Sequence, residues 1–235
     1  MNEVVIVSAV RTPIGSYLGS LSSITAPKLG AIVIKESVNR AKIKPEDVSE
    51  VIMGCVLPAG LGQAPARQAA IFAGLPDSVP CLTINKVCGS GLKAVMLAEQ
   101  AIKSGDAEIV IAGGMESMSN VPYYLDRART GYRMGNATII DGMILDGLHD
   151  VYNNFHMGNA AEICATELNI SRDEQDNFAE ESYKRALKSI ENGDFKNEIV
   201  PIEIETNKSK HIVSDDEEPG KVNFEKGRSL RPAFV

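Results

Sequence analysis

Four cysteines, three histidines and no tryptophan limit the covalent chemistry open to this 235-residue chain. Cys55, Cys81, Cys88 and Cys164 form no Cys-x-x-Cys pair and share no metal-ligand spacing with His149, His156 or His211. No metal role is expected, and the cysteines read as free thiols rather than a disulfide framework. One has an unusual setting. In Asn85-Lys86-Val87-Cys88-Gly89-Ser90-Gly91-Leu92 a cysteine separates a strand-like run from the start of a helical pattern. Unpaired N–H groups and the dipole at a helix start favour a thiolate, which makes such a thiol nucleophilic. Gly89 and Gly91 remove side chains that would crowd an incoming carbonyl or the tight turn. The competing reading is a small buried residue in a strand-to-helix turn, a common fate of free cysteine. The flanking glycines favour the nucleophile. Cys55 inside a strand, Cys164 inside a helix and Cys81 at a strand start are expected to be packing residues.

The elements that would position Cys88 follow a regular alternation. Residues 3–9 (E-V-V-I-V-S-A) are apolar and β-branched, as in a strand buried on both faces. Residues 27–41 carry Leu29, Val33, Ile34 and Val38 at helical spacing. Strands are expected at 51–56, from 81 to 84 and at 108–112, with helices at 64–73 and 89–103. The last of these places Leu92, Val95, Met96 and Ile102 on one side. This βαβαβαβ order predicts an α/β fold with a parallel sheet and ligands beyond the strands' carboxyl ends. Two regions are expected, an α/β core over residues 1–118 and a loop domain over 119–235. The second opens with a Gly-, Tyr-, Met- and Arg-rich excursion at 119–150, long enough to be functional or a subdomain. Ser171 and Glu174 then form a capping box for a helix with Phe178, Tyr183, Leu187 and Ile190 inward, ending at Gly193. Residues 198–204 read as a strand and 211–228 as exposed, and the apolar stub from Arg231 suggests that the polypeptide continues.

Composition narrows the functional classes. The chain is 44% hydrophobic and 23% charged, ordinary for a globular protein. Its net charge of −7 argues against a bulk nucleic-acid binder but leaves room for a locally held phosphate. No apolar run reaches the roughly 18 residues of a membrane span, and no signal peptide is visible at the N-terminus. A cytoplasmic protein without nucleic-acid or membrane partners is the expectation.

Taken together, six segments resemble the thiolase family, in family order along the whole chain. Besides residues 85–92 they are Ala9-Val10-Arg11-Thr12-Pro13-Ile14-Gly15 and Gly62-Gln63-Ala64-Pro65-Ala66-Arg67-Gln68. Gly113-Gly114-Met115-Glu116-Ser117-Met118-Ser119, Asn154-Phe155-His156-Met157-Gly158 and Leu230-Arg231-Pro232-Ala233-Phe234 complete the set. The His-Met pair is most similar to the short-chain, biosynthetic acetyl-CoA acetyltransferase branch.

The resemblance implies a thiolase-like layered fold, of which this is the N-terminal half with an inserted loop domain. It implies that Cys88 takes an acetyl group from acetyl-CoA and passes it to a second acetyl-CoA, giving acetoacetyl-CoA, or runs the reverse thiolysis. The Cys88 N–H would be one oxyanion donor. His156, Met157, Leu148 and Phe234 would line the pantetheine tunnel, although a histidine in such a turn is more often structural. Residues 123–135 resemble an oligomerisation loop, which implies a homodimer or homotetramer in the complete enzyme. Coenzyme A thioesters enter as substrates, and no permanently bound cofactor is implied.

Three departures qualify this. Ala64 stands where family members often have Asn. Glu218-Pro219-Gly220-Lys221 lacks an arginine that some relatives present to coenzyme A, leaving Lys221 as a point charge in its place. The Gly-His-Pro, Cys-x-Gly and Asn-Glu-Ala-Phe motifs of a second α/β half do not occur. The acid/base residues and the strand closing the first sheet are therefore expected to be missing, unless a partner chain supplies them. Three readings stand: an acetyltransferase part inactive by itself, a non-catalytic coenzyme A-binding or assembly module, and a β-ketoacyl-synthase-like condensing enzyme. The His156-Met157 loop disfavours the third.

Overall fold

Residues 3–205 and 210–234 are described by a computed structural model. Helix α1 (Ala26–Ala41) starts with Pro27 in its first turn, where no N–H is needed, and ends on left-handed Lys42. Strand β1 (Glu50–Gly54), helix α2 (Pro65–Ala73), strand β2 (Cys81–Ile84), helix α3 (Ser90–Ser104) and strand β3 (Val110–Gly114) follow in turn. The three strands form one parallel sheet in the order β2-β1-β3. Val51 pairs with both Cys81 and Ile111, so β1 is central, and all its residues after Glu50 are buried. All three carboxyl ends lie along one edge, and the Cys88 turn leaves from one of them.

The strand's period of two sorts β1 between two helical layers. Val51, Met53 and Cys55 join Ile34 and Val38 of α1 and Ala66, Ala69 and Ala70 of α2 in the main core. Helix α3 approaches the sheet differently. Its buried residues are Ser90, Ala94 and Ala98, one small-residue stripe at four-residue spacing. Gly54, Gly91 and Gly114 let the backbones meet: a Cβ on Gly54 would lie 2.6 Å from Ser90 Cβ and 2.8 Å from Gly91 N. The apolar side expected from the spacing is not the buried one. Leu92 is 70% exposed, and Val95 and Met96 also face outward, because close backbone contact admits only small side chains.

The largest correction concerns residues 3–9. They join no sheet among the described residues, and Val5, Ile6 and Val7 are 65%, 79% and 67% exposed. A strand needs a hydrogen-bonded neighbour as well as suitable side chains, and no described residue supplies one. The buried Ser8 hydroxyl likewise has no partner among the described residues. Among the described residues β3 pairs with β1 alone. The chain is fastened just beyond, where Arg11 bridges Ile199 and its guanidinium forks onto Asp216 at 2.6 and 2.9 Å.

Residues 119–150 are as irregular as their composition suggests. The short strands β4 (Tyr123–Tyr124) and β5 (Ile140–Asp141) pair, and Ile144–Leu148 makes a wide helical turn. β6 (His149–Asp150) then pairs with β7 (Phe155–His156), which opens helix α4 (Met157–Glu167). Helix α5 (Arg172–Asn192) has the expected capping box at Ser171 and Glu174 and ends at Gly193. Tyr183, Leu187 and Ile190 are half-buried, whereas Phe178 faces outward at 79% exposure because no described element covers that side. β8 (Ile202–Glu205) and β9 (Lys210–Val213) form a hairpin, with Ile202 and Ile204 packed on Leu21 and Leu29. The short α6 (Phe224–Gly227) completes the elements, and residues 211–228 are mostly exposed, as their polarity suggested.

Candidate active site

The Cys88 turn is held almost entirely by its own neighbours. The Asn85 Oδ1 accepts the Val87 N–H at 2.9 Å, and Ser90 Oγ accepts the Lys86 N–H at 2.8 Å while donating to Val87 O at 2.6 Å. Gly89 and Ser90 close back onto Lys86 O and Val87 O at 3.1 Å. These bonds hold Val87 at φ +47°, a left-handed conformation that a β-branched residue adopts only under constraint, at a cost of about 1–3 kcal/mol. The result is an exposed Cys88 one residue before Gly89, the cap of α3. Strain of this kind concentrates where a side chain must be presented rather than buried.

The other thiols differ in setting. Cys55 is buried, and burial followed by the Glu116 charge pushes its thiol up to about 12. Burial also raises Cys81. Both fit the packing role expected of them. Cys164 is exposed on α4, so the packing expectation is corrected there, α4 having no buried residue at all. Among the described residues no histidine, lysine or carboxylate hydrogen-bonds the Cys88 sulfur, and no group of three His, Cys, Asp or Glu side chains could hold a metal ion.

Sequence reasoning passed over Glu116 as an individual residue. Its carboxylate accepts the Val56 N–H at 2.7 Å and the Leu57 N–H at 3.2 Å, with Cys55 Sγ at 3.6 Å. It thus ties the segment after β3 to the segment after β1. The position inside Gly113-Gly114-Met115-Glu116 was the available signal, because an acid just past a strand end is well placed to take loop N–H groups.

The second cluster gathers three of the expected binding residues. His156 caps α4, its Nδ1 accepting the Gly158 N–H at 3.0 Å, and its ring stacks on Phe234 with centroids 4.8 Å apart. A Cβ on Gly158 would overlap that phenyl ring, and Asn159 Nδ2 donates to Phe234 O at 3.1 Å. Met157 follows directly and is 40% exposed. Leu148 sits next to His149, the strand partner of His156. Lys221 is not part of this group. Its ammonium contacts Glu217 at 2.9 Å, Glu218 and Ser16, so its charge is already compensated. Glu217 in turn is held at about 2 by the Ser16 N–H first, then Lys221 and Ser20.

A cleft of about 360 Å³ also opens between α5 and residues 222–230, with Tyr183 and Phe224 as apolar walls and Arg172 and Arg228 at its margin. Arg172 is paired with Asp176 and Arg228 with Glu180. Neither the periodicity of α5 nor the polarity of 222–230 revealed it, since a cleft arises only when the two segments meet.

The chain resembles known proteins along its whole length. Residues 4–235 match the family described as "Thiolase, N-terminal domain". The chain is 55% identical over 236 residues to the acetyl-CoA acetyltransferase of Cupriavidus necator, covering all of this chain and 60% of that protein. It is 53% identical to the Schizosaccharomyces pombe protein of that name over 99% of this chain and 59% of the relative. The corresponding figures for "Acetyl-CoA acetyltransferase, mitochondrial" of Bos taurus are 53%, 100% and 55%. The chain therefore spans a little over half the length of the curated relatives it matches. On its fold, its motifs and these matches, it belongs to the thiolase family, and what it comprises is that family's N-terminal domain.

Proposed function

We propose that Cys88 is the acyl acceptor of an acetyl-CoA acetyltransferase. The observation that carries this reading is the strained, exposed Cys88 turn, seated on a glycine-lined contact at the carboxyl edge of the sheet. The Cys88 thiolate attacks the thioester carbonyl of acetyl-CoA, the carbon–sulfur bond to coenzyme A breaks, and free coenzyme A leaves with the proton. The Cys88 N–H stands as an oxyanion donor. Completing the cycle requires deprotonating a second acetyl-CoA, whose carbanion takes the acetyl group to give acetoacetyl-CoA. No described residue offers a base to the Cys88 sulfur, so this chain by itself is assigned only the acyl transfer. That same observation keeps a coenzyme A-binding module without turnover as the second reading.

In this proposal Leu148, His156, Met157 and Phe234 form the apolar wall for pantetheine, the His156–Phe234 stack supporting that role. Lys221, compensated by Glu217 and Glu218, contributes little to phosphate binding. Acetyl-CoA, acetoacetyl-CoA and coenzyme A are the proposed small-molecule partners. The division at residue 118, assembly into a dimer or tetramer through 123–135 and a cytoplasmic setting belong to the same reading. No described helix is long and apolar enough to cross a membrane, and all four cysteines are free.

The test is stoichiometric. Chain mixed with acetyl-CoA releases up to one equivalent of coenzyme A, measured by chromatography, and then stops. Cys88→Ala releases none. Continued production of acetoacetyl-CoA overturns the restriction to acyl transfer, and equal release by Cys88→Ala overturns the acceptor role.

A further inference from the structure

The Cys88 turn does not stand alone, and its second support comes from outside its own loop. Asn85 faces two ways. Its Oδ1 takes the Val87 N–H, and its Nδ2 donates to Val56 O at 3.3 Å. Val56 is in turn fixed by Glu116, which accepts the N–H of that same residue at 2.7 Å and of Leu57 at 3.2 Å. Glu116 follows β3, Val56 follows β1 and Asn85 follows β2, so the chain of contacts links the carboxyl ends of all three strands. It ends at the one residue of the turn held in left-handed geometry, Val87.

We propose that Glu116 is a positioning residue for Cys88, acting through Val56 and Asn85 to hold Val87 in the conformation that presents the thiol. It rests on the reading of Cys88 as acyl acceptor, but the chain of contacts has its own observable. A carboxylate suits the first position because it accepts two N–H groups without offering a donor. Glutamine at 116 keeps one acceptor and turns an amide N–H₂ toward a backbone N–H, which loosens the Val56 segment. Asn85 suits the middle position because it alone must donate to Val56 and accept from Val87.

The experiment measures alkylation of Cys88 by iodoacetamide, in which the thiolate sulfur displaces iodide. Peptide mass spectrometry reports Cys88 labelling against Cys164, an exposed thiol on α4 that serves as internal reference. Glu116→Gln and Asn85→Ala are each expected to lower the Cys88/Cys164 ratio roughly tenfold, by misplacing the turn. The double variant falls no further than either single, because both act through one path. Asn85→Asp, which keeps the acceptor for the Val87 N–H, restores part of the ratio lost in Asn85→Ala. An unchanged ratio in Glu116→Gln, with only its thermal midpoint lowered, reduces Glu116 to a structural brace and overturns the proposal. Additive losses overturn it too. Should Glu116→Gln fail to fold, the Asn85 pair still decides: equal ratios in Asn85→Ala and the unsubstituted chain refute the path. Failure of acetyl-CoA to acetylate Cys88 while these ratios behave as expected removes the acyl-acceptor reading and leaves the path standing.

Discussion

At the scale of single residues, Val87 carries the clearest physical signature of a purpose-built turn. A β-branched side chain at φ +47° opposes folding, and with its side chain 54% exposed it gains little packing in return. Val87→Gly is therefore expected to raise stability by about 1 kcal/mol, the relieved strain being offset in part by glycine's freedom in the unfolded chain. Denaturant unfolding checks this, and a loss of stability contradicts the strain. Glu217 makes a second residue-scale case. Its carboxyl lies at about 2 in the folded chain against an ordinary 4.5. A depressed carboxyl stabilises the fold above about 4.5, and that contribution is lost as pH falls toward 2. Glu217→Gln should then show a shallower fall in thermal midpoint between those values than the unsubstituted chain. Identical slopes would rule out the linkage.

At the scale of elements, the position of α3 depends on an absence of side chains. Gly54→Ala puts a methyl group 2.6 Å from Ser90 Cβ and 2.7 Å from the Ser90 carbonyl carbon. The helix must lift, taking the Ser90 hydroxyl and the Cys88 turn with it, at a cost of about 2–3 kcal/mol. Thermal unfolding measures that cost, and a midpoint unchanged from the unsubstituted chain contradicts the close approach. The same helix shows where sequence reading stops. Its extent was legible from the period of its apolar residues, but its buried face was not. Leu92, Val95 and Met96 mark an apolar stripe, yet the sheet beneath takes Ser90, Ala94 and Ala98, because Gly54 and Gly114 bring the backbones together. α1, β2 and the Ser171 cap of α5 were legible because propensity, capping and burial agree there. Residues 3–9 have strand composition without a neighbour, and pairing is a property of two segments, not one. Cys88 was legible from its glycines and its place before a helix. Glu116 and the Tyr183–Phe224 cleft were not, because each depends on segments far apart in the chain.

At the scale of the molecule, the described residues divide between a sheet that presents Cys88 and a set of smaller elements that gather His156, Met157 and Phe234. Among the described residues no hydrogen bond joins Cys88 to that second cluster, and no histidine, lysine or carboxylate hydrogen-bonds its sulfur. Exposed Val5, Ile6, Val7 and Leu92, together with the edge of β3 that no described strand pairs, are surfaces of the kind that a further layer covers. The central claim is that Cys88 takes the acetyl group, and peptide mapping of the chain after exposure to acetyl-CoA tests it most directly. The predicted result is one acetyl group, on the peptide containing Cys88, lost in Cys88→Ser and regenerated as acetyl-CoA when excess coenzyme A is added. Acetylation of Cys164 in preference to Cys88, or none at any cysteine while acetyl-CoA is present in excess, would contradict it.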